Sequence, residues 1–356
     1  MSMINAEEAF TGTVEPQGQD RLDEARLTEW MAANVEGFAG PLRIAKFKGG
    51  QSNPTYRLDA ASGSYVLRRK PFGPLLPSAH AVDREYRVIA GLHPTGFPVA
   101  RPYGLCTDDS VIGAMFYVMA LVEGRTIWDG AMPGATPESR RAHYDAMVDN
   151  LAALHAIDPD AAGLGDYGKP GNYFGRQVER WSKQYRLSET ETMPEMERLI
   201  AFLPASLPEQ TRTSIVHGDY RIDNLIFAPD APQVRAVLDW ELSTLGDPLA
   251  DFSYFLMAWV TDNGGRSGVQ DLDRKALGIP ELDEAVARYC AATGRDGLPQ
   301  LDWYFAYNFF RLAGIIQGIK KRVIDGTATS AHARAMSEKV GELAARAWHF
   351  AQRAGA

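Results

Sequence analysis

Hydrophobic and polar positions change their period twice along this chain. After a polar opening, the stretch DRLDEARLTEWMAANV brings Leu22, Leu27, Trp30, Met31 and Val35 near one another on a helix, with Asp20 as its N-cap. Short β-type runs then dominate: LRIAKF, TYRLDA, SYVLRRK, RPYGLC and MFYVMALV, with one helix inserted from about Ala79 to Leu92. These predict a small antiparallel sheet with a single helix among its strands. Strand signals stop at Val122-Glu123-Gly124, and from Pro137 the helical period takes over in ESRRAHYDAMVDNLAALHAI. Helices centred on 248–260, 281–293, 299–324 and 330–352 follow, interrupted only by the short runs TSIVHGD, NLIFAP and VRAVLDW. The chain therefore reads as α+β in two lobes. Residues 20–123 form a small N-terminal lobe, residues 124–356 a larger and mainly helical one, and residues 1–19 a loose arm.

The three late strand runs bracket HGDYRIDN at positions 217 to 224 and the LDW that carries Asp239. His-x-Asp-x-x-x-x-Asn followed by Asp is the spacing of a phosphotransferase catalytic loop. Asp219 is the candidate base for an acceptor hydroxyl, and Asn224 and Asp239 supply the oxygen ligands that magnesium demands. His217 braces the loop by hydrogen bonding. Each piece alone also reads as a tight turn or a strand end, and it is the three in order that carry the inference. In GDPLADFS, Asp247 suits an N-cap, and Asp251 suits the first turn of a helix, in reach of the catalytic loop's backbone amides.

Upstream, KGGQSNPTYRL lies between two strands, where Gly50 allows close backbone approach to ATP phosphates and Ser52 and Asn53 offer donors. An ordinary hairpin turn is equally compatible with it. In YVLRRK, Arg68 sits where a phosphate-gripping cation belongs, and Glu85 on the following helix is placed to pair with it; the bland reading is a pair of surface charges. The run FYVMALVEG joins the lobes, so the Ala120 carbonyl and Val122 amide can face adenine with Met119 behind it, although a plain core strand fits the same residues. Tyr173, Arg176, Arg180, Trp181 and Tyr185, together with Arg311, are candidates for an acceptor cleft, in a type of stripe that is more often packing surface.

Composition narrows the partners. Lys and Arg total 37 against 45 Asp and Glu, a net charge of −8, which argues against a nucleic-acid partner. The two cysteines, Cys106 and Cys290, show neither disulfide nor zinc spacing, so a reducing cytoplasm is the expected location. No apolar run reaches the roughly 18 residues of a membrane span. A monomer or a homodimer, through an amphipathic C-terminal helix, is the expected state.

With these residues in place, the chain resembles the aminoglycoside phosphotransferase-like family, which shares the protein-kinase fold and includes choline, homoserine and methylthioribose kinases. HGDYRIDNLIF with VLDWELSTLGDPLADFSYF carries the resemblance. GGQSNPTYRL, YVLRRKP, LLPSAHAVDREYRV and FYVMALVEGRTIW look more narrowly like the kinase-like domain fused to acyl-CoA dehydrogenases. The resemblance implies a bilobal kinase-like fold, ATP and Mg2+, Asp219 as base, Asn224 and Asp239 as metal ligands, and Arg68 with Glu85 as the phosphate clamp. For the narrower group it implies a hydroxyacyl-CoA or hydroxy acid as small-molecule acceptor; an antibiotic kinase and a non-catalytic pseudokinase are the alternatives. Two departures stand out: there is no G-x-G-x-x-G, and the clamp cation is Arg where most kinases use Lys.

Overall fold

The protein is described by a computed structural model covering residues 11–48, 53–73, 80–264, 266–328 and 330–356. Strands β1 (Thr13–Val14), β2 (Arg43–Phe47), β3 (Thr55–Ala60), β4 (Gly63–Arg69), β5 (Pro102–Cys106) and β6 (Phe116–Ala120) form one sheet in the order β1-β2-β3-β4-β6-β5. Every neighbouring pair is antiparallel. Side chains alternate between its faces as the two-residue period requires. Leu67, Phe116 and Val118 join Leu27 and Met31 of α1 (Glu24–Asn34), whereas Val66, Tyr117 and Met119 share a core with Val82, Val88 and Ile89 of α2 (Val82–Leu92).

Two expectations change here. Asp23, not Asp20, caps α1, its carboxylate accepting the Arg26 N–H at 3.0 Å. A 3-10 turn at Gly18–Asp20 delays the helix, and Asp20 instead pairs with Lys46 at 2.6 Å. Within the stretch expected to be a loose arm, Thr13 and Val14 pair with Phe47 and Lys46 of the sheet.

Past the linker, α3 (Pro137–Ala156) begins with Thr136 accepting from the Ser139 N–H at 3.2 Å and with proline at its first position, where a missing N–H costs nothing. Helices α4 (Tyr173–Ser188), α5 (Pro194–Ala205), α6 (Leu249–Leu256), α7 (Arg274–Leu277), α8 (Leu282–Thr293) and α9 (Leu301–Ile324) follow. The helix expected over 330–352 is two, α10 (Ala331–Ser337) and α11 (Val340–Arg353). Between them Glu338 and Lys339 open to ψ of −17° and −5°, which lets α11 lay Ala347 and Phe350 in the core alongside Phe305 and Phe309 of α9. Among the described residues no helix is long and apolar enough to cross a membrane.

Small ribbons carry the motif. β7 (Arg125–Thr126), β9 (Leu225–Phe227) and β10 (Val234–Val237) make one, and β8 (Ser214–Val216) with β11 (Thr244–Gly246) the other. Gly124, at the exit of the linker, lies so close to Ile226 and Phe227 that a Cβ there has no room. The Val237 N–H donates to the Pro98 carbonyl at 2.8 Å, a second tie between the lobes. This is a mixed α+β, bilobal kinase-like architecture.

Candidate active site

The loop from His217 to Asn224 is held from behind by a buried carboxylate. Asp251, in the first turn of α6, accepts the backbone N–H of His217 at 2.5 Å and of Gly218 at 2.7 Å, and lies 3.4 Å from His155 Nε2. Burial works to raise its pKa, but the His155 hydrogen bond and the two loop amides outweigh it and hold the group below the ordinary carboxylate value. A group depressed on folding contributes its full stability above the ordinary pKa near 3.9 and loses it as the pH falls through the folded value. Asp251→Ala is therefore expected to cost about 3–5 kcal/mol at neutral pH. In urea titrations its deficit against the parent protein should shrink progressively on acidification below about pH 4.

His217, fully buried, donates from Nε2 to the Leu238 carbonyl at 2.8 Å and accepts the Asp219 N–H on Nδ1 at 3.2 Å. Its ring meets Trp240 at 4.6 Å. The histidine thus ties the candidate base to the strand end that carries Asp239. The Leu238 N–H returns a bond to the Asn224 carbonyl at 2.8 Å, which sets Asn224 and Asp239 side by side. Asp239 itself is left-handed, φ 64° and ψ 63°, a strained conformation for a residue with a Cβ and one that concentrates at functional sites.

Asp219 keeps about a fifth of its side-chain surface, 21%, open, so it is held but reachable. Asn224 Nδ2 donates to its carbonyl at 2.8 Å and its Oδ2 at 3.1 Å. The Arg221 guanidinium lies 3.3 Å from Oδ1 as a charge contact, and the Tyr254 hydroxyl donates to the same carboxylate. Burial first, then the negative charge of Asp219, keeps that phenol protonated well above its ordinary pKa. Arg311, from α9, grips the Gly218 carbonyl at 2.9 Å and lies over the Tyr254 ring.

The small lobe contributes a second charged group. Arg68 lies 2.8 Å from Glu85 Oε2 and donates to Asp239 Oδ1 at 2.9 Å, with Glu241 at 3.8 Å, so one guanidinium joins α2 to the strand end beside the catalytic loop. Glu85 also accepts from Asn53 Nδ2 at 2.7 Å and from the Tyr117 hydroxyl at 3.1 Å. Burial, opposed by Arg68 and helped by the charge of Asp239, pushes Glu85 up to about 7. Burial of the carboxylate works toward its neutral form, while the 2.8 Å contact with the buried Arg68 guanidinium favours the ion pair.

The expected nucleotide residues are placed unevenly. Gly50 and Ser52 lie outside the described residues. Asn53, expected as a phosphate donor, is instead fully buried, its amide spent on Glu85 and its Oδ1 3.0 Å from His80 Nδ1. Met119 lines the core, and the Ala120 N–H is taken by the Arg101 carbonyl at 2.8 Å, so at that residue the carbonyl is the group left for a base. Val122 is half-buried where the linker leaves the sheet. In the expected acceptor cleft, Tyr185 is a core residue and Arg176 is occupied with the Lys169 and Gly171 carbonyls. Trp181 and Arg311 do meet, at 5.9 Å, while Arg180 is exposed over Trp181.

Residues 43–304 match the model of a family described as the phosphotransferase enzyme family. The chain belongs to that family. Mouse (Mus musculus) acyl-CoA dehydrogenase family member 10 is 45% identical over 89% of this chain, and chicken (Gallus gallus) acyl-CoA dehydrogenase family member 11 is 39% identical over 96%. The chain spans only 30% and 45% of those two relatives' lengths. A solved protein from Ralstonia eutropha JMP134, provisionally named an aminoglycoside phosphotransferase, is 50% identical with a TM-score of 0.87, covering 94% of this chain and 99% of its own.

Two residues of this candidate site went unread in the sequence. Arg221 stands between the fixed positions of the motif, and its only signal was a cation two residues after the base. Tyr167 sits in a loop without a period, yet its hydroxyl lies 2.7 Å from Ser243 Oγ and 3.1 Å from the Arg84 carbonyl, while the Arg84 guanidinium lies over its ring at 4.2 Å. It is a strut between the neighbour of Glu85 and the turn that follows Asp239. Removing only the hydroxyl, Tyr167→Phe, is expected to weaken Mg-ADP binding about fivefold in calorimetry, the worth of one ordinary hydrogen bond.

Proposed function

We propose that the protein is an ATP-dependent O-phosphotransferase that acts on the hydroxyl of a small molecule, with a hydroxyacyl-CoA or hydroxy acid as acceptor. The observation that carries this reading is the meeting of four separate segments, with Asn224 bonded to Asp219, the Leu238 N–H bonded to the Asn224 carbonyl beside Asp239, and Arg68 joined to both Asp239 and Glu85. On this reading the chain divides near Glu123 into a nucleotide-holding lobe and an acceptor-holding lobe.

Asn224 and Asp239 offer hard oxygen donors, one amide and one carboxylate, a set that suits magnesium completed by phosphate oxygens and water. When bound, magnesium supplies charge neutralisation on the phosphates. Asp239 would exchange part of its contact with Arg68 for the metal, and Arg68, still braced by Glu85, would turn to phosphate oxygens, which its fork can grip bidentately. Asp219 would accept the acceptor's hydroxyl proton, its carboxylate aimed by Asn224, Arg221 and Tyr254.

Two cations stand at Asp219, Arg221 and Arg311; Arg221 is shared with Asp223 at 3.3 Å, which leaves Arg311 as the charge that would favour an acceptor bearing an acidic group. The competing reading, an aminoglycoside kinase, draws on the name of the Ralstonia relative; a polycation would find Asp219 and Asp223 there but would also face Arg311. Incubating the protein with labelled ATP, magnesium and a panel of hydroxyacyl-CoAs, free hydroxy acids, amino alcohols and aminoglycosides tests both. Label in the hydroxyacyl or hydroxy-acid fraction supports the proposal, and label only in the aminoglycosides replaces it. Tight Mg-ATP binding with no transfer to any acceptor would point to a pseudokinase.

A further inference from the structure

Behind the catalytic loop is a cavity of 220 Å3, walled by Met147, Ile222, Phe255, Met257, Ala258 and Leu312. Arg221 and Tyr254 also line it, and both touch Asp219, so the cavity begins one side chain away from the candidate base. Two further tyrosines in the wall have their hydroxyls spent: Tyr144 donates to the Gly130 carbonyl at 2.8 Å and Tyr220 to the Met147 carbonyl at 2.9 Å. The short hydroxyls of Thr261 and Ser267 are the remaining polar side chains of the lining besides Arg221 and Tyr254. Carbon and sulfur therefore make up most of the interior. A resident water needs two to four polar partners, whereas a hydrocarbon needs none.

We propose that this cavity receives an aliphatic segment of the acceptor. The inference rests on the phosphotransferase reading and extends it: the hydroxyl meets Asp219 while the alkyl arm beside it enters the cavity between Tyr254 and Arg221. At 220 Å3 the space is below the usual size of a whole-ligand pocket, so it is a subsite for a short chain. Ala258 and Leu312 are half-buried walls, so either can be enlarged with less strain than a fully buried position would take.

The test uses straight-chain acyl-CoA thioesters from acetyl to octanoyl, and the free carboxylates of the same lengths, titrated into the whole protein with and without Mg-ADP. None carries an acceptor hydroxyl, so binding is read without turnover. In at least one series affinity should climb about fourfold per methylene until the cavity is full. Ala258→Leu should flatten that climb, with a loss of about tenfold or more for the longest chain that fits and little change for the two-carbon member or for ADP. Leu312→Phe serves as an independent filling variant. Affinity independent of chain length in both series, no binding of either series, or equal losses at every length in both variants would overturn the inference. Failure of the parent protein to bind Mg-ADP would separately overturn the reading on which it rests.

Discussion

Asp219→Ala is expected to lower phosphoryl transfer by about 10²- to 10⁴-fold, the usual contribution of a positioned general base. Nucleotide affinity should stay within about twofold of the parent, because among the described residues the Asp219 side chain contacts Asn224, Arg221 and Tyr254 and its backbone N–H contacts His217, all within the larger lobe. Removing the carboxylate leaves the loop's backbone in place, since Asp251 and His217 hold that from the other side. Comparing kcat with nucleotide Kd for the two proteins decides the point. Equal losses in both would show that Asp219 is a structural member of the loop.

Asp239→Ala should have the second large effect, and a different signature. Magnesium-dependent nucleotide binding should fall by more than about 100-fold, beyond what loss of a residue supporting a ligand typically costs. Binding of the nucleotide without metal should change far less. The same substitution frees Arg68 from its 2.9 Å contact, leaving it with Glu85 and the more distant Glu241, so the fold should survive. Arg68→Ala would do the reverse, stranding Glu85 in a buried site at a cost of about 3–5 kcal/mol. Calorimetric titration of ADP with and without magnesium separates the two variants. Identical metal dependence in Asp239→Ala and the parent would remove Asp239 from the metal site.

The strand content of the small lobe was legible because its central strands send apolar side chains to both faces, one covered by α1 and the other by α2, which leaves short continuous apolar runs such as FYVMA. The helix boundaries were harder. Asp20 and Asp23 are both acceptable caps, and nothing local reports that a 3-10 turn intervenes. The break at Glu338 and Lys339 is invisible to periodicity because apolar positions continue on either side of it. Within the candidate site, Asp219, Asn224, Asp239, Arg68 and Glu85 could be named from spacing and context, and the structure brings these distant segments together. Asn53 could not be placed, since an amide serves equally well facing phosphate or facing Glu85. Arg221 and Tyr167 act through contacts made only in three dimensions, and the apolar cavity behind the loop is assembled from α3, the catalytic loop, the end of α6 and α9, which no single stretch of sequence displays.

On the proposed function, phosphoryl transfer from ATP to a small-molecule hydroxyl depends on Asp219 as the base that accepts the hydroxyl proton. Phosphorus NMR of the protein with ATP, magnesium and a medium-chain hydroxyacyl-CoA tests it most directly. A growing phosphomonoester resonance matched by ADP is expected, absent with Asp219→Ala. A spectrum in which ATP persists unchanged, or one in which the Asp219→Ala protein forms the same ester at the same rate, would contradict it.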